Sequence, residues 1–205
     1  MATMTEETRL SLAKEATDAF IRNHLGERYR DARFETCQHI LPEEYIRKLR
    51  RGQLMILHGP PGCGKTYAAA CWIRRNIEKN LYRRRDAPGI HITAAEFERR
   101  FCQPGYWDFE TKGNWKDLLD AGWVVFDDLG TEDPTNLRFK TKFNHLFETR
   151  HREQRTLIIL TNVMIEEYGE RIVSRVRDWG VDGSVWEIQG EDLRKNKRDL
   201  NPVAD

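Results

Sequence analysis

The octapeptide Gly59-Pro60-Pro61-Gly62-Cys63-Gly64-Lys65-Thr66 constrains this chain more than any other stretch. It follows the apolar run Leu54-Met55-Ile56-Leu57 and precedes a helix-compatible segment from Tyr67 to Lys79, so the G-x-x-x-x-G-K-T spacing has the strand, loop and helix setting it needs. Glycines at these places let backbone N–H groups converge on an anion, and the following helix adds the partial positive charge of its first turn. The loop predicts a cradle for the β- and γ-phosphates of a nucleotide, with Lys65 bridging their oxygens and the Thr66 hydroxyl on Mg2+. Every residue from Gly59 to Thr66 is thus a candidate for nucleotide binding. A Gly/Pro-rich turn between strand and helix is the alternative, and the matched context counts against it.

A second motif lies at Trp123-Val124-Val125-Phe126-Asp127-Asp128-Leu129-Gly130, where an apolar run reads as a buried parallel strand ending in two acids. Ligands of open α/β sheets collect at the carboxyl ends of the strands. Asp127 is the expected holder of Mg2+ through its waters, and Asp128 the group that polarises an attacking water. A strand running into an acidic turn is the plain alternative. Thr156-Leu157-Ile158-Ile159-Leu160-Thr161-Asn162 ends in the same manner. Asn162 is a candidate for orienting the water or touching the γ-phosphate, against an ordinary strand-ending Asn. The intervening strand, Gly89-Ile90-His91-Ile92-Thr93, carries no acid. Simple nucleotide kinases usually place the acidic tip on that next strand, so the order points to P-loop proteins with an additional strand, in which water accepts the phosphoryl group.

The remaining segments read as helices and loops of one α/β domain. Thr5-Glu6-Glu7 opens a helix reaching His24, with Leu10, Ala13, Ala16, Ala19 and Phe20 on one face that packs on the core or meets a partner. Tyr29 and Phe34 suit an adenine pocket or the core, and Pro42 to Arg51 reads as a further helix. Tyr82 to Asp86 is a basic surface turn, Ala94 to Phe101 and Asn136 to Glu153 are helices, and Val185 to Ile188 is a last strand. Cys102 to Lys116 interleaves Tyr106, Trp107, Phe109 and Trp115 with Lys112 and Lys116. That composition suits a single-strand nucleic-acid platform, and equally a loop held on the core by its rings. Arg171 and Arg175 share a face of the helix expected over Glu166 to Asp178, where a salt-bridged surface is their ordinary role.

Composition bounds the function classes. Lys+Arg 34 against Asp+Glu 33 leaves a net charge of +1, so any nucleic-acid contact must come from a local patch. The four cysteines, Cys37, Cys63, Cys71 and Cys102, form no C-x-x-C pair, which predicts free thiols in a reducing cytoplasm. No apolar stretch approaches the roughly 20 residues of a membrane helix.

These residues together resemble the AAA+ ATPases of the DnaC/IstB type, which include helicase loaders and the helper ATPases of insertion-sequence transposases. Tyr29 to Phe34 is similar to the family's lead-in, Gly59 to Thr66 to its Walker A motif, and Val124 to Gly130 to its Walker B motif. Thr161-Asn162 is similar to its sensor 1, Glu170 to Val176 to its E-R-h-x-S-R-h box, and Gly190-Glu191-Asp192-Leu193-Arg194 to its terminal G-x-S/D-x-R. The resemblance implies a P-loop NTPase of α/β class, an AAA+ core with a central five-stranded parallel sheet flanked by helices and no substantial C-terminal lid domain. Residues 1–28 would be an N-terminal helical lead-in, 29–198 the ATPase domain and 199–205 a tail.

The same resemblance implies ATP and Mg2+ as cofactors, and Lys65, Asp128, Asn162 and Arg175 as the catalytic set. Arg175, with Arg171 as second choice, would reach the γ-phosphate held by a neighbouring protomer, so a homo-oligomer is expected. A DNA-contacting insertion is implied over Arg99 to Lys116, and a protein partner such as a replicative helicase or a transposase. About fifty residues precede Walker A, so a separate partner-binding domain is expected to be absent or reduced to the Thr5 to His24 helix, and Arg194 stands in for a sensor 2 arginine. A nucleotide-gated module with little hydrolysis stays open, because Asp128 occupies a place where AAA+ proteins more commonly have Glu.

Overall fold

The apolar runs become strands, and every pairing between them is parallel. The computed structural model describes residues 5–37, 52–83, 89–103, 109–133, 135–179, 185–189 and 192. The strands are β1 (Leu54–His58), β2 (Ile90–Thr93), β3 (Trp123–Leu129), β4 (Thr156–Thr161) and β5 (Val185–Glu187), in the order β2-β3-β4-β1-β5. Parallel neighbours need crossover connections, and a parallel sheet is covered on both faces. The helices that do this are α1 (Glu6–His24), α2 (Phe34–Cys37), α3 (Lys65–Arg83), α4 (Ala94–Phe101), α5 (Phe109–Asp120), α6 (Leu137–Arg152) and α7 (Glu170–Trp179).

Strand periodicity sorts the core into two layers. Leu54, Ile56, Val124, Phe126, Leu157 and Ile159 face one side, against Phe97, Phe139, Phe143, Phe147 and Trp179. Met55, Leu57, Val125, Ile158 and Leu160 face the other, against Ile21, Ala69, Trp72 and Ile73 of α1 and α3. Each large apolar side chain buried this way contributes on the order of 1.5–3 kcal/mol. Helix starts follow local chemistry: Thr93 accepts the Glu96 N–H at 3.1 Å, and Asn136 accepts the Phe139 N–H at 3.0 Å.

Two buried guanidinium groups fix the helices. Arg74 of α3 pairs with Asp18 of α1 at 2.7 Å and donates from Nε to the Ala32 carbonyl at 3.0 Å, tying α1 and the lead-in to the helix behind the phosphate loop. α1 turns Ala13, Thr17 and Ile21 inward, so it packs on the core. Arg150 of α6 is fully buried without an acid beside it. Its donors go to the carbonyls of Thr156 at 2.6 Å, Leu118 at 3.3 Å and Ala121 at 3.1 Å, which joins the end of α5 to the start of β4. Burial, with Arg155 nearby, pulls its pKa down to about 9, so the group stays cationic at neutral pH.

Several boundaries differ from the sequence expectation. The Glu166 to Asp178 helix is divided into a 3-10 turn, Ile165–Tyr168, and α7, because Gly169 between them has φ 99°, a conformation that favours glycine. The Cys102 to Lys116 stretch is not a loop throughout: α5 begins at Phe109. α3 continues to Arg83, into the expected basic turn. The expected helix over 42–51, the residues Arg84 to Asp86, Tyr106, Trp107 and Arg194, and the tail 199–205 lie outside the described residues.

Candidate nucleotide site

The strand order sets β3, β4 and β1 side by side, so the loops leaving their carboxyl ends converge. From β1 comes the phosphate loop. Gly62 at φ 83° and Gly64 at φ 101° hold left-handed conformations that a side chain would strain. A Cβ on Gly62 would also lie 1.9 Å from Oδ1 of Asp192, so that carboxylate lies against the loop. Ile188, just after β5, donates its N–H to the His58 carbonyl at 2.7 Å and closes the other flank.

Lys65 is 6 % exposed and folded back on its own loop. Its ammonium donates to the carbonyls of Gly59 at 2.7 Å and Pro60 at 3.0 Å, and to Asn162 Oδ1 at 2.7 Å. Burial lowers its pKa, while Cys63, Asp127 and Asp128 act in the opposite direction. The Thr66 hydroxyl lies 3.4 Å from Asp127 Oδ1. Asp127 is buried, receives the Asp128 N–H on Oδ1 at 2.8 Å, and has His91 Nε2 at 3.2 Å from Oδ2. The expected residues Lys65, Thr66, Asp127 and Asn162 are thus brought together from three strand ends.

Asp128 is different in kind. The β3–β4 register shifts between Phe126 and Leu129, and Asp128 within that irregularity has φ 57° and an exposed side chain. Bulges beside sites re-aim side chains, and here the turn sends Asp127 inward and Asp128 outward. On β4, the Thr161 hydroxyl lies 3.0 Å from the Leu129 carbonyl and accepts the Val163 N–H at 3.1 Å, which fixes the peptide carrying Asn162. Glu132, past the bulge, accepts the Gly130 N–H at 2.8 Å and the Tyr168 hydroxyl, linking the Walker B turn to the 3-10 turn after β4.

Mg2+ keeps several waters and takes one or two protein oxygens beside substrate phosphates. The Thr66 hydroxyl and Asp127 carboxylate, 3.4 Å apart behind the phosphate loop, fit that donor set.

The arginines stand elsewhere. Arg175 of α7 pairs with Asp178 of the same helix at 3.2 Å and remains 42 % exposed, while Arg171 pairs with Glu148 of α6. In the aromatic-basic stretch, Trp115 is a packing residue rather than an open stacking platform. Its ring lies 5.0 Å from Phe101 and 6.0 Å from Phe97, with the Lys142 ammonium 4.8 Å from its centroid. The three-residue spacing of Trp115 and Leu118, nearly one turn of α5, points both toward the same core layer, which is why this ring packs inward. Arg99 and Arg100 are exposed at the end of α4, Arg100 paired with Glu96 at 2.5 Å. Tyr29 and Phe34 pack partly buried against the α1–α3 layer. His91 went unremarked in the sequence, although a histidine inside an apolar strand next to the acidic strand was the available signal.

The fold is shared with proteins of DNA replication. The DnaC helicase loader matches with a TM-score of 0.60 at 18% identity over 80% of this chain and 99% of its own. At this identity the likeness is one of fold. DnaI matches with a TM-score of 0.55 at 19% identity, covering 79% of this chain and 84% of its own. The replication initiator DnaA, in a structure bound to AMPPCP and single-stranded DNA, matches with a TM-score of 0.51 at 18% identity over 77% of this chain; this chain spans 49% of that one. No family model and no curated protein sequence matches. The expected five-stranded parallel sheet flanked by helices, and the DnaC-type resemblance at the level of fold, are borne out. Among the described residues no helix is long and apolar enough to cross a membrane.

Proposed function

We propose that this protein is a DNA-associated ATPase of the helicase-loader type, which binds and hydrolyses ATP at sites shared between subunits and acts on a partner protein on DNA. The observation that carries the reading is the convergence of Lys65, Thr66, Asp127 and Asn162 at the ends of β1, β3 and β4. It is supported by the fold likeness to a helicase loader and to an initiator solved with an ATP analogue and single-stranded DNA.

The phosphate loop binds the β- and γ-phosphates through its N–H groups, and Lys65 exchanges its carbonyl partners for phosphate oxygens. Thr66 and Asp127 would hold Mg2+, which would supply positive charge against those phosphates. Asp128 accepts a hydrogen bond from the attacking water, and Asn162, released by Lys65, orients it. Arg175 from a neighbouring copy neutralises charge developing at the γ-phosphate. Arg175 pairs within its own helix, with Asp178, whereas Arg171, although more exposed, is tied to Glu148 of α6, and this favours Arg175 for the role. Exposed Arg99 and Arg100, with the segment that follows them, form the DNA-facing side. Placement in the cytoplasm follows from such a role.

The test separates binding from chemistry. Lys65→Ala is expected to abolish ATP binding in equilibrium titration, while Arg175→Ala keeps binding within a few fold and loses turnover by about 10³-fold. An Arg175→Ala protein with wild-type turnover would remove the shared-site assignment. A second reading, a nucleotide-gated assembly module with little hydrolysis, draws on the exposed Asp128 in its left-handed conformation. Robust phosphate release stimulated by DNA excludes it. A transposition helper of the IstB kind would use the same site with a different partner.

A further inference from the structure

We propose that His91 is a positioning residue for Asp127, fixing the carboxylate in the orientation that Mg2+-dependent nucleotide binding requires. The inference rests on the ATPase reading of the site and adds to it a residue on the strand that carries no acid.

Register places the pair. β2 lies beside β3 with His91 opposite Val125 and Thr93 opposite Asp127, so His91 and Asp127 project from the same face of the sheet. That face is mainly apolar, built from Met55, Leu57, Trp123, Val125, Ile158 and Leu160. An imidazole there needs a hydrogen-bond partner. It has one: His91 Nε2 is 3.2 Å from Asp127 Oδ2, and both side chains are 4% exposed. A carboxylate oxygen only accepts, so Nε2 carries the hydrogen and donates it.

The two oxygens of Asp127 are thereby divided. Oδ2 is held from β2 by His91, while Oδ1 takes the Asp128 N–H at 2.8 Å and faces the Thr66 hydroxyl at 3.4 Å. With Oδ2 held, the carboxylate keeps Oδ1 turned toward Thr66. Without His91, rotation about the Cβ–Cγ bond presents either oxygen to the site, and Oδ2 is left buried with no donor. The outer partners of metal-holding groups are worth about 10–100-fold in metal affinity.

Two variants distinguish positioning from packing. His91→Leu fills the space without a donor, and His91→Gln carries an amide N–H near the position of Nε2. Binding of a fluorescent ATP analogue is titrated with Mg2+, and separately followed in EDTA. His91→Leu is expected to raise the Mg2+ half-saturation about 10–100-fold with binding in EDTA unchanged, and His91→Gln to recover most of the loss. A His91→Leu curve that superimposes on a Mg2+-responsive wild-type curve, or a glutamine variant as impaired as the leucine one, overturns the positioning role. Wild-type protein that binds no nucleotide overturns the ATPase reading beneath it. Should His91→Leu fail to fold, 15N-histidine spectra of wild type and Asp127→Asn supply the decision. A His91 Nε2 resonance that moves on Asp127→Asn supports the pairing, and one that stays overturns it.

Discussion

Lys65 shows how a phosphate loop holds a buried cation. Its ammonium is buried, so it must be hydrogen-bonded, and it uses Gly59, Pro60 and Asn162 for the purpose. Under the proposed function, Asn162 would compete with ATP for Lys65 and then orient the water. Asn162→Ala is therefore expected to bind ATP as tightly as wild type or a few fold more tightly, while turnover falls about 10²-fold. Equilibrium titration set beside steady-state phosphate release measures both; a variant weakened mainly in binding contradicts the exchange. The residues of this site were legible because each motif states its own chemistry: glycines for a tight anion loop, acids at a strand tip, a polar residue at the next tip. His91 was not legible. Its role comes from a cross-strand pairing with Asp127, which no local spacing encodes. Trp115 was left undecided for a related reason, since the same ring serves stacking on a base or packing on Phe97 and Phe101, and only tertiary contacts decide.

Helices and strands were read where apolar periodicity was strong, as in α6, where Asn136 stands as N-cap one residue outside the observed Leu137–Arg152. Errors fell where one glycine or one buried cation outweighed the pattern. Gly169 divides the last helical stretch because its φ of 99° ends one turn and begins another. Nothing in the sequence singled out Arg150, which stands in the last turn of α6 yet is fully buried. It satisfies carbonyls of Leu118, Ala121 and Thr156, groups that would otherwise be buried without donors. Arg150→Met keeps the bulk and removes the donors. It is expected to lower unfolding stability by about 3–5 kcal/mol, from several carbonyls at about 1–3 kcal/mol each. Denaturant melts should show a reduced midpoint with the slope unchanged. A shift under about 1 kcal/mol would show that water replaces the guanidinium.

At the scale of the whole molecule, the run ending in Asp127-Asp128 was read as a buried parallel strand from its apolar residues, and the five-stranded parallel sheet came from the family resemblance. Arg175 pairs with Asp178 on α7, and under the proposed function it would serve a site only across a boundary between copies, which would make a single copy incomplete by itself. Specific ATPase activity should accordingly rise with protein concentration until assembly saturates. Mixing Lys65→Ala, which keeps the arginine, with Arg175→Ala, which keeps the loop, should restore a measurable fraction of turnover absent from either alone. Activity per molecule that is flat over a hundredfold dilution, with no restoration on mixing, would return Arg175 to an ordinary surface salt bridge. The strand order also governs when the site comes into being. β1 is hydrogen-bonded only to β4 and β5, with Leu54 opposite Leu157 and Ile56 opposite Val185. Such distant pairings close large loops and form late. The octapeptide is therefore made before it can be shaped: a nascent chain displays Gly59 to Thr66 before β4 and β5 exist to hold β1 in place.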